Sequence, residues 1–230
     1  MRWRLWSFVW LALASAPAWA DRPFIATTGA AAEEDDDRVW SLSAVADVRR
    51  GTREFGLAAE YAFDPERSVE FGVGHARLRD AGSKATDVEV EYKQLFNHIA
   101  RDGWGWGVAV GLGAQSSSGS GWRGGGWSLT LPLSLAFADG ESVAHFNAGL
   151  VREPGASRET ALALGVERRV TRRVTLFAEA ARAGGETLLH GGLRWWVQRE
   201  RFAVDLGVTR RREDGDTRRG AVLGLAWYDL

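Results

Sequence analysis

The residues from which this chain could assemble chemistry are four histidines (His75, His98, His145 and His190) and scattered carboxylates, with no cysteine at all. Lack of cysteine removes a thiolate nucleophile, a thiolate metal site and a disulfide framework together. A hydroxyl nucleophile needs an adjacent base, and no histidine is followed at short spacing by a serine. No pair of histidines has a third ligand within reach along the sequence, so neither a metal nor any other cofactor is expected. The glycine-rich stretch SSSGSGWRGGG (116–126) lacks the Gly-Lys-Ser/Thr ending and the following helix of a phosphate loop. No catalytic residue is therefore assigned. The histidines read as scattered polar lining.

The charged residues say more. Asp47, Glu54, Glu60, Glu70, Glu89, Glu91, Lys93, Glu167, Glu179, Arg194 and Asp205 each fall on the polar phase of an alternating segment, and acids outnumber bases among them. Charges in a confined interior must pair or be wetted, so this set is expected to line a lumen and to favour cations there. A second set is basic: Arg49, Arg50, Arg53, Arg77, Arg79, Arg210, Arg211, Arg212, Arg218 and Arg219 fall near one common end of the segments. Guanidinium groups grip phosphate bidentately, which makes this rim a candidate contact for lipid phosphate.

The elements that must position these residues have period two. In RVWSLSAVADVRR (38–50), Trp40, Leu42, Ala44, Ala46 and Val48 share one face and Ser41, Ser43, Asp47 and Arg49 the other, which is strand geometry. The pattern recurs at 54–63, 69–74, 88–98, 104–115, 127–137, 142–152, 159–168, 173–183, 188–198, 201–209 and 220–230. Only the last is ambiguous, since Leu223, Leu225 and Trp227 compete with Val222, Ala226, Tyr228 and Leu230 for the apolar row. The count is twelve strands, ten being the alternative, each about the length a tilted strand needs to cross a bilayer. The polar rows are rich in Gly, Ala and Ser, which suits a crowded lumen better than a solvated face. A soluble β-sandwich or lipocalin-like binder is the competing arrangement.

Aromatic residues supply a second signal. Trp40, Tyr61, Phe63, Trp104, Trp106, Phe137, Trp195, Phe202 and Trp227 fall near the same end of their strands, as an interfacial aromatic belt would. Connections at that end are short, whereas 80–87, 116–126, 153–158 and 210–219 read as longer loops at the other.

The start of the chain reads as an address. Arg2 and Arg4 precede an apolar stretch shorter than the roughly 18 residues of a spanning helix, and Ala18-Trp19-Ala20 has the form of a cleavage site. Residues 1–20 are thus expected to be a secretory signal removed after Ala20. Residues 21–37, with acids from Glu33 to Asp37, read as an acidic disordered leader, and 38–230 as the barrel. A net charge of -1 argues against general nucleic-acid binding.

The strand ladder, segments such as VTLFAEAARAGG and HGGLRWWV, and the ending AVLGLAWYDL with Tyr228 third from the end resemble small Gram-negative outer-membrane β-barrel proteins. The resemblance implies an all-β, closed antiparallel transmembrane barrel in the outer membrane. It implies contact with outer-membrane lipid and lipopolysaccharide, and with the barrel-assembly machinery during insertion. The expected role is passive passage of small solutes or envelope structure. The alternative is a lipid-modifying hydrolase or acyltransferase, which requires a hydroxyl, a histidine and an acid to converge on the outward face.

Overall fold

A computed structural model describes residues 23–30, 38–78, 82–97, 99–137, 141–213 and 215–230. Within it twelve strands form a single closed antiparallel barrel in which each strand pairs with its sequence neighbours and β1 closes on β12. They are β1 (Val39–Arg49), β2 (Thr52–Asp64), β3 (Arg67–Leu78), β4 (Ser83–Leu95), β5 (Trp104–Ser117) and β6 (Ser120–Ala136), then β7 (Ser142–Arg152), β8 (Glu159–Thr171), β9 (Val174–Ala183), β10 (Glu186–Gln198), β11 (Phe202–Glu213) and β12 (Asp216–Trp227). The closing register runs from Leu42 opposite Trp227 to Arg49 opposite Gly220. Backbone bonds between Trp40 and Leu230 extend the seam to the last residue. Closure leaves no free sheet edge, and it excludes the two-sheet sandwich.

Alternation decides which side each residue takes. Leu42, Phe71, Leu131, Leu164, Leu206 and Leu223 are exposed on the outer face, while Ser41, Asp47, Glu91, Ser134, His145 and Asp205 are buried inside. Every strand contributes at least one large exposed apolar side chain, far more contiguous apolar surface than a water-soluble monomer presents. On β12 the ambiguity resolves: Val222, Gly224 and Ala226 face in, and Leu223 faces out. Gly224 lies opposite Asp205 in register.

Several stretches expected as loops are strand. Residues 83–87, 120–126, 210–213 and 216–219 continue the hairpins, and the turns between them tighten around Gly119 (φ 85°) and Gly215 (φ 85°). Glycine adopts this left-handed conformation without steric cost, and tight hairpin turns need it. Polar composition had marked these segments as loops, yet a strand that extends past an apolar belt keeps its backbone bonds whatever its side chains. Of the four, only 153–158 keeps loop character throughout.

The largest departure concerns the leader. Pro23–Ala30 lies inside the barrel, with every residue but Ala26 buried. Composition gave no apolar run long enough to predict a docked segment, but the lumen supplies polar partners for its backbone. The acidic run 33–37 and the expected signal lie outside the described residues, as do Arg79 and His98. Among the described residues no helix is long and apolar enough to cross a membrane, a fact that does not bear on strands.

Candidate functional site in the barrel lumen

The upper end of the barrel is taken here as the one carrying residues 50–51 and 153–158, the lower as the one carrying 65–66 and 199–201. The inner rows place all eleven expected lumen residues on the inside, and closure gathers most of them into groups. Near the lower end, Arg194 donates from Nε (2.8 Å) and Nη2 (3.1 Å) to the two carboxylate oxygens of Asp205, and from Nη1 to the Tyr228 hydroxyl (2.8 Å). Its guanidinium also lies 5.3 Å from the ring centre of Trp196. Lys93 pairs with Glu60 at 3.5 Å. Glu70 stands opposite both Glu60 and Glu91 in register.

Higher up, Arg49 pairs with Asp47 (3.3 Å) and with Glu54, and Arg211 pairs with Glu186 (2.7 Å) while facing Asp47 at 3.8 Å. Arg49 and Arg211, expected on the phosphate-binding rim, instead turn into the lumen. Both share the inward phase of their strands, Arg49 with Asp47 and Arg211 with Thr209, and both side chains are only 6% exposed. Arg50, Arg53, Arg77, Arg210, Arg212 and Arg219 are exposed as expected, and Arg218, partly exposed, pairs with Asp216.

Between these groups sits the N-terminal segment. Glu179 accepts hydrogen bonds from the backbone N–H groups of Ile25 (2.9 Å) and Ala26 (2.8 Å) and lies 3.4 Å from His190 Nδ1. Asn147 Nδ2 donates to the Thr28 carbonyl (3.0 Å), and the Ala30 N–H donates to Ser134 Oγ (2.7 Å). Phe24 packs edge-on against His145 and Phe177, with ring centres 5.2 and 6.1 Å away. Ile25 packs with Leu188 and Val222. Glycines make the room: a Cβ on Gly165 would stand 3.0 Å from the Phe24 ring, and one on Gly105 would collide with the Ala30 carbonyl. The segment thus crosses the lumen as a plug.

One constellation is only faintly visible in the sequence. Ser134 Oγ lies 2.8 Å from His145 Nδ1, and His145 Nε2 lies 3.7 Å from Glu167. A hydroxyl, a base and an acid converge here on the inner face, not on the outward face that a lipid-modifying site requires, through the β6–β7 register that sets Ser134 opposite His145. The only prior hint was that both residues sit on inward phases of adjacent strands. Ser134 is fully buried, and its oxygen is occupied by the Ala30 amide. The trio's visible work is to seat the plug.

Above the plug lies a cavity of about 160 Å³, floored by Ile25 and Ala26 and walled by residues of β4 to β11 and of the 153–158 loop. Glu89 reaches over Gly111 to accept a long hydrogen bond from Ser128 Oγ (3.4 Å). At the rim, burial first, and then the neighbouring carboxylates Glu159, Asp87, Glu186 and Glu213, push the Glu153 carboxyl up to about 8. With the loop docked, Glu153 therefore keeps a proton it would lose near 4.5 when undocked. Docking is insensitive to pH below about 4.5, weakens as pH rises from there to about 8, and levels off above. Protection against hydrogen exchange in 153–158, taken relative to the intrinsic exchange rate at each pH, should accordingly fall between about pH 4.5 and about pH 8, and Glu153→Gln should abolish that fall.

The outward aromatics meet near the lower end. Trp40 and Tyr61 have ring centres 5.0 Å apart, Tyr61 and Phe63 5.1 Å, and Phe202 and Trp227 4.8 Å. Trp104, Trp106, Phe137 and Trp195 are exposed on the same side of the wall.

An apolar exterior around an ion-paired, internally plugged lumen in a closed twelve-strand antiparallel wall is the fold of outer-membrane β-barrel proteins. The solved structures it is similar to include the NanC porin (TM-score 0.60, 12% identity, covering 82% of this chain and 100% of that one). The KdgM porin is similar at TM-score 0.59 and 13% identity, covering 81% and 98%. The toluene transporter TbuX of Ralstonia pickettii is similar at TM-score 0.51 and 11% identity, covering 85% and 90%. At these identities the likeness is one of fold. The chain belongs to the family described as Uncharacterised conserved protein UCP029691, whose model matches residues 49–226. No curated protein sequence matches it at a significant level.

Proposed function

We propose that this protein is an outer-membrane channel for passive passage of small solutes, closed at rest by its own N-terminal segment. The observation that carries the reading is Pro23–Ala30, which fills the lumen without joining a strand of the wall. Its described hydrogen bonds to the wall run through side chains, so it can leave without breaking the barrel. Several of the similar solved structures are described as porins or channels, which agrees with this role.

Around that core we place the rest of the reading. Residues 1–20 export the chain and are cleaved after Ala20, and the assembly machinery inserts the barrel. The aromatic row sits at one membrane interface. The arginine rim contacts lipid phosphate at the other: Arg53, Arg77 and Lys84 stand directly opposite one another on three adjacent strands, as do Arg210 and Arg219. Like charges so placed repel, and an anion between them relieves the repulsion.

The test is reconstitution of the refolded protein in a planar bilayer. Discrete conductance steps are expected, brief and infrequent while the plug is seated. Repeated insertion without steps, by protein that shows heat-modifiable migration, would sink the channel.

A further inference from the structure

The cavity above the plug has two unlike walls. One carries carboxyl groups: Asp87 and Glu89 face it from β4, and Glu153, which burial keeps protonated at neutral pH, overhangs it as a neutral polar group from the β7–β8 loop. The other, from β8 to β11, is apolar towards the floor, where Ala163, Ala181 and Leu188 continue Ile25 and Ala26, and carries the Glu186–Arg211 ion pair towards the rim. Cations are present but engaged elsewhere or turned out. Arg211 is held by Glu186, Arg152 donates to the Ala156 carbonyl, and Arg182 is exposed on the outward phase of β9. No lysine or arginine pairs with Asp87, Glu89 or Glu153 among the described residues.

A second observation is independent of the acids. Asn147 lines the same cavity and is 4% exposed. Its Nδ2 is spent on the Thr28 carbonyl, but its Oδ1 has no hydrogen-bond partner among the described residues. Buried acceptors without a donor are costly. Asn147 lies two inner rungs below Ser128, the partner of Glu89, so polar side chains line one side of the cavity from rim to floor.

Acceptors and negative charge on one side, with alkyl surface on the other, call for a ligand that donates hydrogen bonds, carries positive charge and has an apolar body. Among the described residues no three acids or histidines come close enough to share a metal ion, and the apolar wall favours a polyatomic cation with alkyl surface over a bare ion. About 160 Å³ is below the ~300 Å³ of a drug-sized pocket, which limits the ligand to a few heavy atoms. We propose that this cup is a binding site for small organic ammonium ions, the solute class the channel selects. The assignment of that class to passage rests on the channel reading above.

The test is calorimetric titration of the detergent-solubilised full barrel with n-butylammonium chloride, sodium butyrate and 1-butanol. Saturable butylammonium binding is expected, at least about tenfold tighter than either of the others, the worth of one charge-assisted hydrogen bond. Asp87→Asn/Glu89→Gln should lower that affinity by about tenfold or more while heat-modifiable migration stays unchanged. Equal binding of the three compounds, or none, overturns the site, and the wild-type ranking alone decides this should the variant fail to fold. Planar-bilayer recording of the same preparation separates the two ideas. Conductance without butylammonium preference removes the site and leaves the channel, whereas butylammonium binding without conductance removes the channel and leaves a binding cup.

Discussion

Deleting residues 21–30 should raise single-channel conductance several-fold and lengthen the open state, with the barrel still showing heat-modifiable migration. The segment's described part, Pro23–Ala30, occupies the lumen between the lower ion pairs and the upper cavity and belongs to no wall strand. Its hold is modular. Glu179 accepts two backbone N–H groups, and hydrogen bonds to a charged group contribute roughly 1.5–3 kcal/mol each. Glu179→Ala should therefore give an intermediate conductance, with the plug present but loosely held. Gly105→Ala reaches the same end by sterics, since its Cβ would displace the Ala30 carbonyl. Unchanged conductance in the deletion variant would mean that something other than this segment closes the lumen.

The largest stability loss is expected from Arg194→Ala. Arg194 and Asp205 are 7% and 2% exposed in their side chains and joined by two hydrogen bonds, with Tyr228 on a third guanidinium nitrogen. Removing one partner of a buried pair strands the other charge and costs about 3–5 kcal/mol. Denaturant unfolding of the barrel in lipid vesicles should show that loss in the midpoint. Arg194→Ala/Asp205→Ala should recover much of it, because the uncompensated carboxylate is then gone. A double variant as unstable as the single one would mean that the packing of Arg194 on Trp196 and Tyr228, and not the charge pair, carries the energy. This cluster ties β10, β11 and the C-terminal residues together next to the β1–β12 seam, so its loss should be felt where the barrel closes.

Strand membership and facing were legible because both are local properties. A residue's side of the wall follows from its phase in a period-two segment, and Asp47, Glu91, Glu179, Arg194 and Asp205 are all buried on the inner rows that phase assigned to them. The two misread arginines show the same rule from the other side. Arg49 and Arg211 were grouped with the rim because they belong to basic runs, although their phase already pointed inward. The polar hairpin ends were misread because composition reports solvation and not backbone pairing, and 210–213 stays paired with 216–219 in spite of its charges.

The candidate site was legible only in part, for the opposite reason. Ser134, His145 and Glu167 come from three strands, and the partners of Ile25 and Ala30 lie 154 and 104 residues away along the chain. Such neighbours depend on inter-strand register and on closure, which no local window contains. By itself the sequence determined a twelve-strand wall with an apolar outside and an ionisable inside, since alternation at each residue is enough for that. Only the tertiary structure decided that Pro23–Ala30 closes the lumen and that an acidic, half-apolar cup stands above it. Both arise when strands distant in the chain are drawn around one axis and the backbone of a short polar segment finds its hydrogen-bond partners there.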